Sequence, residues 1–307
     1  MKYKILVTAP YLQLVIEDYR YIFDEHQIEI IMPSVKERIS DEELLKYIKD
    51  VDGILCGNDR ITERVLAEAK KLKVISKWGT GIDAIDKDAA LKRGIPVKNT
   101  LNAFTDPVAD TVLGLMLCFA RNTIDLNEKM KQGIWSKQLG HALNEFTIGV
   151  IGIGNIGKAV IKRAKVFGMK VLANDIKEIP GYDLVSLERL LKESDFVSIN
   201  CDLNPTSRYL INKERLALMK PTAYLINAAR GPIVKEVDLI EALKNKGIAG
   251  AGLDVFEDEP LSNDNPLKKM SNVILSPHNA NAGAAAWQKV HVNTIKNAID
   301  ELEKNIN

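Results

Sequence analysis

The chain has 307 residues, 46% of them hydrophobic, with 42 Lys and Arg against 41 Asp and Glu, a formal net charge of +1. That length and apolar content support two domains with a sizeable core in each, and the near balance of charge excludes a global field that would draw the protein to nucleic acid or an anionic membrane. The longest apolar stretch, Thr111 to Ala120, lies between Asp110 and Arg121 and is too short to span a bilayer, so it reads as a buried core helix.

The N-terminal residues MKYKILVTAP read as a first strand; they lack the apolar h-region and small-residue cleavage site of a secretion signal. Across the first hundred residues the apolar runs KILVTAP, IEIIMP, DGILCG, VISKWG and IPVKN alternate with amphipathic patterns such as DEELLKYIKD and TERVLAEAKKL. Strands alternating with helices predict a parallel α/β domain. A long helix follows, with Thr105 or Asp106 as N-cap and Pro107 at the first helical position, leading into a second domain.

There the run TIGVIGIGNIG opens into Gly152-x-Gly154-x-x-Gly157 at a strand-to-helix turn, and Asp175 stands eighteen residues further on, at the end of the run KVLAN. Each glycine has a task. Gly152 permits the tight turn, Gly154 lets the backbone approach a pyrophosphate seated on the amides of the next helix, and Gly157 lets helix and strand pack closely. Asp175 can accept both hydroxyls of an adenosine ribose and repels a 2'-phosphate, which selects NAD over NADP; Lys177 softens that preference.

Further runs at KVLAN, FVSIN, AYLINAA, AGLDVF and NVILSPH complete a six-stranded, doubly wound Rossmann-type sheet, and Ala284 to Lys304 is helical. The C-terminal helix is assigned back to the first domain. The nucleotide domain, 101–280, is then inserted into a flavodoxin-like substrate domain, 1–100 with 281–307, and a cleft between two such bodies is the expected substrate position. Cys56, Cys118 and Cys201 are odd in number, widely spaced and set in apolar segments, which fits reduced core thiols in a cytosolic protein. Four scattered histidines give no metal-ligand spacing, so no metal is expected.

Arg230, Glu259 and His278 stand at or beyond the carboxyl ends of predicted strands, the edge that faces the ligand crevice in open α/β sheets. Hydride transfer to a 2-oxo acid needs a cation for the carboxylate, a proton donor for the carbonyl oxygen and a group that keeps the donor charged. Arg230 can grip a carboxylate with two parallel hydrogen bonds. His278 is a suitable acid because an unperturbed imidazole titrates near pH 6.5, about the working range, and Glu259 can favour its charged form. Singly, each residue has an equally good structural explanation: a solvated arginine, one acid of the run EDEP, a core or capping histidine. Their joint occurrence downstream of the glycine fingerprint is what points to chemistry.

The series SKWGTGIDAID, PVADTVLGLMLCFAR, VIGIGNIGKAV, LINAARGPIVKEVDLIEAL, GLDVFEDEP and ILSPHNA resembles the D-isomer-specific 2-hydroxyacid dehydrogenase family over nearly the whole chain. The resemblance implies an NAD-dependent enzyme with Arg230, Glu259 and His278 as catalytic residues. It places cofactor contacts at Thr80, Gly152, Gly154, Asn155, Ile156, Gly157, Asp175, Cys201, Ala228, Ala229, Arg230, Asp254, His278, Asn279, Ala280 and Asn281, several through backbone atoms. It implies substrate contacts at Lys77, Trp78, Gly79, Arg230 and His278, the loop after strand VIS giving backbone amides to the substrate carboxylate. Two departures stand out: Asp202 replaces the proline common before the leucine of CDLNPT, and NAN follows His278 where glycine is common.

A basic residue at Lys77 is frequent in relatives acting on phosphorylated acids, which favours 3-phosphoglycerate, with Arg60, Lys137 and His141 as further candidate cations. Hydroxypyruvate or glyoxylate is the alternative, in which Lys77 is a solvated loop residue and Trp78 closes the site around a short acid. An NADH-sensing regulator without turnover, or oxidation of a small non-carbon acid such as phosphite, would use the same fold. The segment Asn122 to Leu143, with Trp135, resembles the family's dimer-forming part and implies a homodimer; otherwise Trp135 packs within its own subunit.

Overall fold

The computed structural model describes residues Lys2 to Lys304. The chain divides into two compact units, one made of residues up to Phe104 and from Gly283 onward, the other of Thr105–Ala282.

The first unit is built on five strands, β1 (Tyr3–Val7), β2 (Ile28–Ile31), β3 (Gly53–Cys56), β4 (Val74–Lys77) and β5 (Val97–Lys98), in the order β2-β1-β3-β4-β5. All four pairings are parallel, giving the flavodoxin-like 2-1-3-4-5 order. Parallel strands covered on both faces need near-continuous apolar runs, and β3 is buried at every residue. The intervening helices are capped by side chains the sequence supplies: Ser40, Thr62 and Asp86 accept the amides of Glu43, Val65 and Ala89. Helix Ala284–Lys304 returns to this sheet, where Ser76 Oγ donates to the Thr294 carbonyl and Tyr3 Oη to that of Leu302.

The second unit holds six parallel strands, β6 (Thr147–Ile151), β7 (Lys170–Asn174), β8 (Phe196–Ile199), β9 (Tyr224–Asn227), β10 (Gly250–Leu253) and β11 (Val273–Leu275), ordered β11-β10-β9-β8-β6-β7. The strand order reverses between β6 and β8, the switch point at which α/β sheets open a crevice. Separate apolar clusters cover the two faces, one around Leu190, Val197, Leu225 and Leu239, the other around Val112, Met116, Val150 and Phe196. The linking helix begins earlier than its proline suggests: it spans Thr105–Ala120, so Thr105 is inside it and Pro107 is the third residue, not the first. Pro is still tolerated there, because the first-turn N–H groups have no intrahelical acceptor.

The glycine turn is sterically enforced. Gly152 has φ +88°, and a Cβ there would lie 2.6 Å from the Cys201 nitrogen. A Cβ on Gly157 would lie 2.0 Å from the Gly152 carbonyl oxygen. Gly157→Ala therefore forces strand and helix apart, an overpacking cost of ~1–3 kcal/mol. Thermal unfolding should show a Tm several degrees lower together with weakened NADH binding; an unchanged Tm would contradict this packing.

Candidate functional site

Six of the residues singled out in the second unit lie one to three residues past the carboxyl end of a strand. Gly152 follows β6, Asp175 follows β7, Cys201 follows β8, Arg230 follows β9, Asp254 follows β10 and His278 follows β11. Parallel strands place those ends at one edge of the sheet.

Helix Asn155–Val166 starts at the glycine turn with Gly154 as N-cap, so the amides of Ile156 and Gly157 in its first turn have no carbonyl one turn back. A Cβ on Gly154 would meet nothing within 4 Å, whereas Gly152 and Gly157 are pressed against backbone. The glycine with open space beside it is thus the one assigned to approach a pyrophosphate, and the residues present fit a dinucleotide. Asp175 Oδ2 accepts the Ile153 N–H at 2.7 Å and Oδ1 that of Lys177 at 3.0 Å, which fixes the carboxylate beside the turn. Burial pushes the Cys201 thiol up to about 11, so it stays protonated at neutral pH. Cys201 and Cys118 are half-buried, and only Cys56 is a fully buried core thiol.

The catalytic candidates converge. His278 Nδ1 lies 2.8 Å from Glu259 Oε2, and Glu259 Oε1 accepts the Phe256 N–H at 3.0 Å. Burial works to raise the Glu259 carboxyl, but the hydrogen bond and charge of His278, the Phe256 amide and the Arg230 guanidinium together hold it below the usual range. Arg230 Nη1 donates to the Ala229 carbonyl, while Asn227 holds the same turn, Nδ2 donating to the Arg230 carbonyl and Oδ1 accepting the Ala229 N–H. Ala229 thus has both backbone polar groups engaged within the protein; Ala228 is half-buried beside it.

His278 has φ +53°, a conformation few L side chains adopt. The loop is held there by Asp254, 1% exposed: its carbonyl accepts the His278 N–H at 2.8 Å, and its carboxylate accepts those of Asn279 and Ala280 at 2.8 and 2.9 Å. Asp254, assigned to the cofactor by resemblance, is first of all the anchor of the histidine loop. Asn281 is half-buried just beyond it. Asn227 and this anchoring role went unnoticed in the sequence, where a polar residue ending a strand was the available signal.

In the first unit Lys77 and Trp78 are each 5% exposed. Lys77 Nζ donates to the Trp78 carbonyl at 2.8 Å and to Asn58 Oδ1 at 3.3 Å, so it is not a solvated loop lysine. Trp78 packs among Tyr11, Phe104, Trp287 and His291, and its Nε1 donates to His291 Nδ1. Gly79 has φ +123°, and Thr80 Oγ1 donates to the Thr100 carbonyl. Arg60, Lys137 and His141 are exposed, and His141 is paired with Glu145. Trp135 is 82% exposed and so is not packed within its own subunit.

A doubly wound sheet with a glycine turn, an acid fixed beside that turn, and an Arg, Glu and His past the carboxyl ends of the strands has the features of a nicotinamide-dinucleotide oxidoreductase. The family model for the D-isomer specific 2-hydroxyacid dehydrogenase NAD binding domain matches residues 113–280. The chain is 43% identical to a glyoxylate reductase of Thermofilum pendens, over 86% of this chain and 82% of that one. It is 41% identical to a D-3-phosphoglycerate dehydrogenase of Methanocaldococcus jannaschii, over 90% of this chain and 53% of that one. The structure resembles a D-lactate dehydrogenase of Aquifex aeolicus solved with NAD and lactic acid, with a TM-score of 0.88 at 29% identity over 99% and 96% of the two chains. The chain belongs to the D-isomer specific 2-hydroxyacid dehydrogenases and is an NAD-dependent enzyme. Among the described residues no helix is long and apolar enough to cross a membrane.

Because the Glu259 carboxyl is depressed in the folded state, its contribution to stability is present above the unfolded carboxylate range and is lost as pH falls through the folded value. The stability gap between the protein and Glu259→Gln, measured by urea unfolding, should be constant from neutral pH to about pH 5 and close below the unperturbed Glu range near 4.3. A gap that widens on acidification would contradict the depressed carboxyl.

Proposed function

We propose that the protein reduces a small unphosphorylated 2-oxo acid, glyoxylate or hydroxypyruvate, with NADH, and oxidises the D-2-hydroxy acid in reverse. The bound cofactor supplies the hydride to the carbonyl carbon. His278, held at Nδ1 by Glu259, gives a proton from Nε2 to the carbonyl oxygen as it becomes an alcohol. Glu259, kept ionised, balances the imidazolium and fixes the ring. Arg230 takes the substrate carboxylate with two parallel hydrogen bonds, setting which face of the carbonyl meets the hydride.

The observation that favours a small acid is the placement of Lys77. A distal phosphate calls for cations whose donors can turn to it, and this ammonium lies buried with the Trp78 carbonyl and Asn58 as acceptors. The glyoxylate reductase relative, matched over most of both chains, supports the same reading. The competing reading, a phosphoglycerate dehydrogenase, is supported by the relative of that name, of which this chain spans about half.

The test is NADH oxidation with glyoxylate, hydroxypyruvate and phosphohydroxypyruvate, compared by kcat/KM. Either unphosphorylated acid should be preferred, and His278→Ala should lower kcat by roughly 10²–10⁴-fold with NADH affinity retained. A strong preference for the phosphorylated acid would overturn the substrate assignment, and undiminished turnover in His278→Ala the proton donor.

The homodimer belongs to the same reading. Over the stretch 122–143, Trp135 is 82% exposed, Leu139 98%, Met130 52% and Ile134 46%. Isolated exposed apolar side chains are ordinary, but four within ten residues mark an interaction surface. Analytical ultracentrifugation should give twice the chain mass, reduced to the monomer in Trp135→Glu/Leu139→Glu. A monomeric unsubstituted protein would refute it.

A further inference from the structure

The loop after β4 is tied down carbonyl by carbonyl. The Trp78 carbonyl accepts from Lys77 Nζ at 2.8 Å, the Gly79 carbonyl from the Thr100 N–H at 2.9 Å, and the Thr80 carbonyl from Asn99 Nδ2 at 2.5 Å. The carbonyl of one residue and the N–H of the next point in opposite directions across a trans peptide. Fixing these three carbonyls therefore fixes the N–H groups of Gly79, Thr80 and Gly81, and among the described residues none of the three meets an acceptor. Successive unpaired backbone N–H groups in a turn form an anion-binding surface.

Two of the three carbonyls are held by neutral donors from the segment Asn99–Thr100, and the first is held by a charge. That charge has its own counterweight. Asp59 is fully buried, accepting from Thr8 Oγ1 at 2.6 Å and from the Ile39 and Gly57 amides at 3.0 Å each. Burial raises its carboxyl, and the Lys77 ammonium is near enough to oppose the rise. The lysine therefore has the Trp78 carbonyl and Asn58 as acceptors, with the Asp59 carboxyl near enough to feel its charge.

We propose that Lys77 is a positioning residue for the substrate carboxylate: its buried ammonium holds the Trp78 carbonyl and so aims the Gly79 N–H at the acid, without reaching the substrate's distal group. This rests on the reading of the protein as a small 2-oxo acid reductase. The substrate class it selects carries one carboxylate and no second anion.

The test compares Lys77→Met, Lys77→Arg and the charge-neutral pair Lys77→Met/Asp59→Asn with the unsubstituted enzyme. It measures kcat and KM for glyoxylate, hydroxypyruvate and phosphohydroxypyruvate, and binding of oxamate, an unreactive 2-oxo acid mimic, to the enzyme–NADH complex. Loss of one charge-assisted hydrogen bond under the amides should raise KM and the oxamate Kd roughly tenfold. The factor should be equal for all three acids, kcat should stay within about threefold, NADH affinity should be unchanged, and Lys77→Arg should restore part of the loss. The double variant keeps the interior neutral and should show the same KM rise should Lys77→Met alone fail to fold. A loss confined to phosphohydroxypyruvate would make Lys77 a phosphate ligand and overturn both this role and the small-acid reading. Unchanged KM and oxamate affinity in a folded variant would overturn the positioning role alone. Lys77-dependent oxamate binding in an enzyme that turns over none of the three acids would sustain the positioning role and overturn the proposed substrate.

Discussion

His278 sits on a backbone that would not choose its own conformation, and one buried residue, Asp254, keeps it there. Asp254 accepts the amides of Asn279 and Ala280 through its side chain and that of His278 through its carbonyl. Three hydrogen bonds to a single residue outweigh the cost of a left-handed histidine, on the order of 1–2 kcal/mol. Because Asp254 directly follows β10, the histidine loop inherits the rigidity of the sheet. Glu259, five residues later on the same strand connection, then meets the imidazole without a long lever between them. Loosening Asp254 would free the histidine from its acid partner even with both side chains intact.

The two units treat charge alike. In each, a buried side chain is spent on its surroundings: the Asp254 carboxyl on two amides, Lys77 on a carbonyl, Asp59 on two amides and a hydroxyl. A buried ion is costly unless its hydrogen-bonding capacity is filled. Here the filling partners are turns at the carboxyl ends of strands, so the energy that offsets desolvation also shapes the loops. Groups that meet substrate or cofactor can then be amides or half-buried side chains with donors in reserve.

Much of this was legible from the residues. The five runs of the first unit and the six of the second became strands because a parallel sheet covered on both faces requires continuous apolar stretches, which few other elements need. The glycine turn and Asp175 were legible because their spacing is dictated by sterics that the structure repeats at Gly152 and Gly157. Arg230, Glu259 and His278 were legible as a set because each follows a strand at its carboxyl end. Side-chain direction was not. Lys77 and Trp78 read as loop residues with side chains for the substrate, yet both turn inward, because nothing in the local sequence reveals that Asn58 and His291 wait as partners from other elements. The anchoring of the histidine loop by Asp254 went unread since long-range side chain to backbone bonds leave no periodic trace. For Trp135 the sequence left open a dimer face or packing within its own subunit, and its 82% exposure removes the second.

The return of helix Ala284–Lys304 to the first sheet has a consequence for how the protein is made. Its residues Val290, Ile295 and Leu302 are buried, and its backbone receives Ser76 and Tyr3 from strands 218 and 299 residues away. During synthesis the first unit emerges early but lacks this layer until helix Ala284–Lys304 follows the second unit, leaving an apolar sheet face uncovered while the second unit, contiguous in sequence, can already close its own core. The order of completion is therefore the reverse of the order of translation at the N-terminus, and the early strands are the part of the nascent chain most in need of shielding.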